Sequence, residues 1–348
     1  MEKTMKAAVM EGIGKMAVVQ RPVPEPKDDE VLVKVEYVGV CGSDLHYYES
    51  GAIGNYVVQP PFVLGHEAGG TVVKVGAGVT HLSVGDKVAL EPGKTCGKCE
   101  FCREGKYNLC KDVVFFATPP VDGVFQEYVA HEAVLCFKIP DNMDTMEAAL
   151  IEPLAVGFHA AGQGGAQLGQ TAVIFGAGCI GLVSMMACMA MGITKVYVVD
   201  VMDNRLKKAK ELGAAAVING KDEDAVERIM ALTNGRGADL AIETAGTEIT
   251  ANQAIHAVRK GANIVMVGYS KSGKMNLDMS LALDKEVTFK TVFRYRHIYP
   301  MAIEAVASGK VRVKDIVTNI FTLDDIQNAM DQSVSNKAEI VKSVIKIC

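Results

Sequence analysis

A short apolar run at residues 172–175 passes straight into Gly176-Ala177-Gly178-Cys179-Ile180-Gly181, and Asp200 closes the next apolar run nineteen positions after Gly181. A strand that must turn sharply into a helix beside a bound phosphate needs glycine at three places. Gly176 allows the tight turn, Gly178 lets the backbone approach a pyrophosphate, and Gly181 lets the helix pack on the strand, with Ile180 in the helix's first turn. The N-terminal N–H groups of that helix then face the phosphates. A carboxylate at Asp200 would accept hydrogen bonds from both ribose hydroxyls and repel a 2′-phosphate, so NAD is expected over NADP. Arg205 leaves two readings open: a brace against the adenosine ribose or the carboxylate, or a counter-charge for a 2′-phosphate. A glycine turn used only for packing would not require the strand, the helix and the acid together.

The surrounding pattern fits this motif. Apolar runs at 172–175, 195–200, 216–219, 239–243 and 263–268 alternate with amphipathic stretches at 180–191, 204–212, 224–232 and 249–258, which predicts an α/β, doubly wound parallel sheet. Gly192 and Gly213 stand where helices should stop. Residues 6–140 read differently, as short β-like runs at 6–10, 31–38, 70–75, 87–90 and 127–130 punctuated by Gly and Pro, and predict a barrel or sandwich. Beyond 291 the signals are a helix near 300–308, a Thr322-x-x-Asp325 cap before another helix, and a terminal strand at 339–347, a tail that should return to the first domain. A chain of 348 residues exceeds the size of one core, so two domains are expected.

Cys96, Cys99, Cys102 and Cys110 share one polar loop with the spacing C-x2-C-x2-C-x7-C. Four thiolates so spaced satisfy tetrahedral Zn²⁺ with no open position, which is a structural site. A bacterial ferredoxin run would continue x3-C-P, and here Lys111 follows the fourth cysteine. Disulfides need an oxidising compartment, and residues 1–6 carry no apolar signal segment. The net charge of −5, with both signs interspersed, gives no footprint for nucleic acid or anionic membrane. No apolar run approaches the ~20 residues that span a bilayer. The chain reads as soluble and cytosolic.

Cys41-Gly42-Ser43-Asp44-Leu45-His46 follows one β run, and Gly65-His66-Glu67 precedes another. Together they offer a thiolate, an imidazole and a carboxylate, and three protein ligands with an open fourth position are the catalytic arrangement for zinc. Position 70 is Gly70, which excludes the metalloprotease H-E-x-x-H. The other histidines, His81, His131, His256 and His297, have no ligand-like partners and read as surface or satisfied polar residues. His159 follows Glu152 by two helical turns, but Pro153 is expected to break that helix.

With Cys41 to Tyr48, Gly65 to Glu67, the four-cysteine loop, Glu152-Pro153-Leu154-Ala155-Val156-Gly157, the Gly176–Gly181 fingerprint and Phe293-Arg294-Tyr295 in hand, the chain resembles the zinc-dependent medium-chain dehydrogenases/reductases over nearly its whole length. Within them it is most similar to the polyol dehydrogenases of the sorbitol (L-iditol 2-) and xylitol type. The resemblance implies a GroES-like β-barrel catalytic domain from residues 1–153 and 291–348, a Rossmann NAD-binding domain at 154–290, and a homotetramer. It implies that Cys41, His66 and Glu67 bind a catalytic zinc, with Glu152 either entering the metal shell or holding a water on it. It also implies a proton relay from Ser43 toward His46, and polyol contacts from Arg294, Tyr295 and Tyr48, although a surface or interface salt bridge remains the other reading of Arg294. The activity so implied is NAD-dependent oxidation of a polyol to a ketose. Threonine or 2,3-butanediol dehydrogenase is the same-family alternative, and a nonenzymatic NAD-binding protein the alternative of another class.

Overall fold

The computed structural model describes residues 3–270 and 273–348. The chain divides into two compact units, one built from Met1–Glu152 with Tyr299–Cys348, the other from Pro153–Ile298. Residues 291–298, which the sequence grouped with the catalytic domain, lie with the second unit.

In the first unit the strand Glu30–Gly39, EVLVKVEYVG, is rich in β-branched residues and buried along most of its length, as befits the centre of a sheet. It pairs antiparallel with Glu67–Val75, Tyr128–Glu132 and the C-terminal strand Ser343–Lys346. The sheet continues through Lys87–Leu90 to Cys136–Lys138 on one side and to Asn319–Thr322 on the other. A smaller antiparallel sheet, Thr4–Gly12 with Lys15–Pro22 and Phe62–Val63, completes the unit. Val33, Val35, Leu64, Phe125 and Ile345 fill the core with no exposed surface. Register positions the chemistry. Gly39 lies opposite Glu67 on one side and opposite Val344 on the other, so the residues after Gly39, before Glu67 and before Val344 converge at one end of the sheet.

The second unit is a six-stranded, all-parallel sheet. Its strands run in the order Ala216–Asn219, Lys195–Asp200, Thr171–Phe175, Ala238–Glu243, Val258–Met266, Thr288–Thr291, the 3-2-1-4-5-6 order of a doubly wound fold. The helices Cys179–Ala190, Asp203–Glu211, Ala225–Leu232 and Glu248–Ala257 alternate with the strands. Gly192 and Gly213 take φ of 100° and 104°, the left-handed conformation that ends a helix. The strand expected from 263 begins at Val258, but its register jumps between the Ala238/Val258 and Leu240/Asn263 pairs, so the regular ladder starts at Asn263.

Two expectations fail for stated reasons. Pro153 does not break its helix, which runs unbroken over Thr145–Gly164. Leu150, Ile151, Leu154 and Ala155 around it have no exposed surface, and this packing offsets the one backbone hydrogen bond that proline removes. Thr322 does not cap the last helix, because it stays in the strand opposite Lys346 and a 3₁₀ turn, Leu323–Asp325, intervenes before Ile326–Ser335.

The helix Glu248–Ala257 runs directly into a strand and has no glycine stop. Its carbonyl end is satisfied by a cation, since Lys285 Nζ donates to the C=O groups of Ile255, His256 and Val258 at 3.0, 2.7 and 2.8 Å. Lys285→Met is expected to destabilise the protein by about 1–2 kcal/mol, read as a lower denaturant midpoint with an unchanged slope.

Candidate active site

Cys41 immediately precedes the helix Gly42–Ser50, and Glu67 is the first residue of the strand paired with Gly39. The Cys41 sulfur, a His66 ring nitrogen and a Glu67 carboxylate oxygen all lie within 4.8 Å of one another, with His66 and Glu67 buried and Cys41 half-buried. Burial opposes a charge on His66, but the neighbouring Cys41 and Asp44 side chains outweigh it and hold the imidazole well above its ordinary pKa. Sulfur, nitrogen and oxygen donors converging at this distance fit a zinc ion with a position left for substrate. Glu152, which the sequence placed in or near this shell, is buried in its helix at 5% exposure and is not one of the three converging groups.

Two residues that sequence reasoning passed over organise the cluster. Asp44, with no exposed surface, accepts the N–H of Cys41 at 2.9 Å through Oδ2 and the N–H of Gly65 at 2.9 Å through Oδ1, and its Oδ1 stands 3.7 Å from His66 Nδ1. One carboxylate therefore ties together the two loops that carry the ligands. Its position three residues after Cys41, at the third place of a helix start, was the available signal. Lys342, only 2% exposed, makes an ion pair with Glu67 Oε2 and donates to the Val40 carbonyl at 2.9 Å. No local motif marks it, because the C-terminal strand delivers it from the far end of the chain.

Ser43 and His46 lie three apart on the helix that begins after Cys41, Ser43 half-buried and His46 exposed. Tyr48 requires a correction. Its hydroxyl donates to Asp331 Oδ1 at 2.6 Å, lies 2.9 Å from the Gly14 carbonyl and accepts from Gln327 Nε2 at 2.6 Å, and burial together with Asp331 pushes the phenol up to about 12. These bonds anchor the helix to Ile326–Ser335, and Tyr48 is no free donor for a polyol. Arg294 and Tyr295 stand in the second unit, Tyr295 buried at 3% and Arg294 half-buried with its guanidinium 4.9 Å from the Phe293 ring centroid. Arg294 and His297 both take positive φ, 54° and 56°, a conformation that side chains other than glycine adopt mainly where function or packing enforces it.

The four-cysteine loop forms a second cluster of sulfurs, all within 4.8 Å. Cys99 and Cys102 Sγ are 3.5 Å apart and Cys96 and Cys102 Sγ 4.0 Å, far beyond a disulfide and close to the roughly 3.8 Å edge of a tetrahedron with Zn–S of about 2.3 Å. Backbone N–H groups of Lys98 and Cys99 pull the Cys96 thiol down to about 6, while burial pushes Cys102 up to about 11. Four sulfurs this close cannot all carry charge without a cation between them.

In the second unit, the Asp200 carboxylate accepts the N–H of Ala177 at 2.6 Å through Oδ2, and those of Val201 and Met202 at 2.7 and 2.9 Å through Oδ1. Its charge is fixed beside the fingerprint turn. Gly176 has φ of 96°, and a Cβ on Gly181 would stand 1.8 Å from the Gly176 carbonyl oxygen, so strand and helix meet only through glycine. Gly178 starts the helix Cys179–Ala190, and the half-buried Arg205 brings Nη1 to 3.9 Å from where a Gly178 Cβ would be.

Comparison with known proteins agrees with this architecture. The alcohol dehydrogenase GroES-like domain matches residues 27–141 and the zinc-binding dehydrogenase domain matches 179–308. Sorbitol dehydrogenase of Bacillus subtilis is 45% identical, the match covering 99% of this chain and 97% of that protein. The crystal structure of an oxidoreductase/dehydrogenase of unknown specificity from Escherichia coli superposes with a TM-score of 0.95 at 46% identity, covering 99% of both chains. A zinc-binding dehydrogenase from Sinorhizobium meliloti, solved bound to NADP, superposes with a TM-score of 0.91 at 30% identity over 99% of this chain and all of that one. The chain belongs to the zinc-dependent medium-chain dehydrogenases/reductases, with a GroES-like and a Rossmann domain, and is an oxidoreductase of the zinc-type alcohol dehydrogenase group.

A Cβ on Gly39 would stand 1.9 Å from Glu67 Oε2 and 3.0 Å from Lys342 Cε. Gly39→Ala is expected to displace Glu67 and lower zinc, measured by atomic absorption, from about two to about one per chain, with the four-cysteine ion retained.

Proposed function

We propose that the protein oxidises a polyol of the sorbitol, xylitol or iditol type to the corresponding ketose, with NAD as hydride acceptor. The observation that carries the reading is the convergence of Cys41, His66 and Glu67 in a chain whose other unit bears the Gly176–Gly181 turn with Asp200 at its edge. Similarity to sorbitol dehydrogenase supports the polyol class. When bound, zinc supplies Lewis acidity that brings a substrate hydroxyl's pKa toward neutrality, and the nicotinamide supplies the hydride acceptor. Cys41, His66 and Glu67 would hold the zinc, and Lys342 would keep Glu67 oriented toward it.

Ser43 takes the hydroxyl proton as its own hydroxyl proton leaves in the direction of the exposed His46, which releases a proton to solvent. Arg294, with five N–H donors on a planar fork, suits vicinal hydroxyls. Glu152, buried in the same unit as the ligand cluster, helps to hold a water for exchange with substrate. No helix among the described residues is long and apolar enough to cross a membrane, and we take the working form to be a cytosolic homotetramer.

Following NADH absorbance with a panel of polyols should reveal turnover of at least one vicinal polyol, abolished by a zinc chelator and restored by zinc. A zinc-loaded preparation inactive on every polyol but active on threonine or 2,3-butanediol would replace the substrate assignment. NAD preference is assigned to the fixed negative charge of Asp200. Asp200→Ala should lower kcat/KM for NAD and raise that for NADP, shifting the ratio at least about tenfold, since removing the repulsion is worth upwards of 1.4 kcal/mol. An unchanged ratio would move the selectivity elsewhere.

A further inference from the structure

Glu243 ends the strand Ala238–Glu243, opposite Phe175 on one side and Met266 on the other. It therefore flanks the point where the strand order reverses, and ligands of such sheets bind in the crevice at the carboxyl ends there. Its side chain has no exposed surface. Oε1 accepts three donors, the N–H groups of Ala245 and Gly246, both at 2.9 Å, and the Thr250 hydroxyl at 2.8 Å. The Glu243 carbonyl accepts the N–H groups of Val267 at 2.8 Å and Gly268 at 3.0 Å. Oε2 is buried with no hydrogen-bond partner.

The turn that Oε1 holds is joined to the fingerprint. Thr244 N–H donates to the Phe175 carbonyl at 2.8 Å, and its hydroxyl bridges the carbonyls of Phe175 and Gly176 at 2.9 and 3.1 Å. A Cβ on Gly176 would stand 2.7 Å from that hydroxyl. On the other side the turn meets the loop after Met266 backbone to backbone, since a Cβ on Gly246 would be 2.3 Å from the Tyr269 carbonyl oxygen and one on Gly268 would be 2.2 Å from Gly246 N. Three backbone segments thus meet around this residue at the crevice floor: its carboxyl group holds the turn at 245–246, its backbone carbonyl the loop at 267–268, and the adjoining Thr244 the fingerprint turn.

We infer that Glu243 is a positioning residue of the dinucleotide half-site: it touches no cofactor, but sets the turn at 244–247 and, through Thr244, the fingerprint turn on which NAD affinity depends. The acceptor Oε1 does this work, while the unpartnered Oε2 makes an ionised group costly, and burial raises the pKa accordingly. A neutral side chain of the same shape should therefore serve as well. The inference rests on the proposed dinucleotide reading of the fingerprint.

The test is NADH binding to the full-length, zinc-loaded protein by fluorescence titration, with zinc content and the melting transition measured alongside. Glu243→Gln should bind NADH within about threefold of the parent, Glu243→Ala about tenfold or more weakly, and Thr250→Val, which removes one of the three donors, about threefold more weakly. In turnover assays KM for NAD should rise in the same order, while KM for the polyol and zinc content stay put. Parent-like NADH binding by a folded Glu243→Ala, or Glu243→Gln as weak as Glu243→Ala, overturns the inference. If Glu243→Ala does not fold, a parent-like Thr250→Val together with an impaired Glu243→Gln overturns it equally. No NADH binding by the parent overturns the cofactor reading itself, a result distinct from the other two.

Discussion

Asp44 and Glu67 are carboxylates with 0% and 1% exposure placed beside Cys41 and His66, and groups so buried stay charged only against cations or oriented N–H donors. The first unit is arranged around that requirement. Asp44 is satisfied by backbone, at Cys41 and Gly65. Glu67 is offset in charge by the Lys342 ammonium beside its Oε2. Left over are the Cys41 sulfur, one face of His66 and the remaining capacity of Glu67, all aimed at one place, and a doubly charged ion is the group that balances them. Breaking a buried pair of this kind typically costs about 3–5 kcal/mol, so Lys342 is as much part of the metal centre as the ligands.

The sheet register explains how such distant residues meet. Gly39 is flanked by Glu67 and Val344 in neighbouring strands, and its missing side chain leaves the space that the Glu67–Lys342 pair occupies. The return of the chain end to the first unit is thereby functional. Without the strand Ser343–Lys346 the ammonium would have no route to Glu67.

What the sequence disclosed follows from how far each device reaches along the chain. The fingerprint and the four-cysteine loop each complete their chemistry within a few turns of backbone, so their spacing carries their meaning. The alternating pattern of the second unit was legible for the same reason, down to the left-handed glycines at 192 and 213. Lys342 was invisible because its partner is 275 positions away, and Tyr48 was misassigned because its partner Asp331 is 283 positions away. Pro153 misled because local propensity was overruled by burial on every side of its helix.

The metal cluster of the first unit and the fingerprint turn of the second rest on different physics. The metal half depends on long-range electrostatics: few residues, buried charges, and partners brought in by strand pairing. The dinucleotide half depends on close approach. Gly176 and Gly181 bring backbone against backbone, Gly157 does the same where a Cβ would be 2.6 Å from the Val183 carbonyl oxygen, and Glu243 braces the turn next to them. A steric site tolerates neutral substitutions that keep shape and fails on added volume. The metal site fails on changes of charge and, at Gly39, where the Glu67–Lys342 pair fills the space a side chain would need, on added volume as well. One architecture thus carries its metal-holding and its dinucleotide-holding devices on separate units, each built by its own kind of interaction.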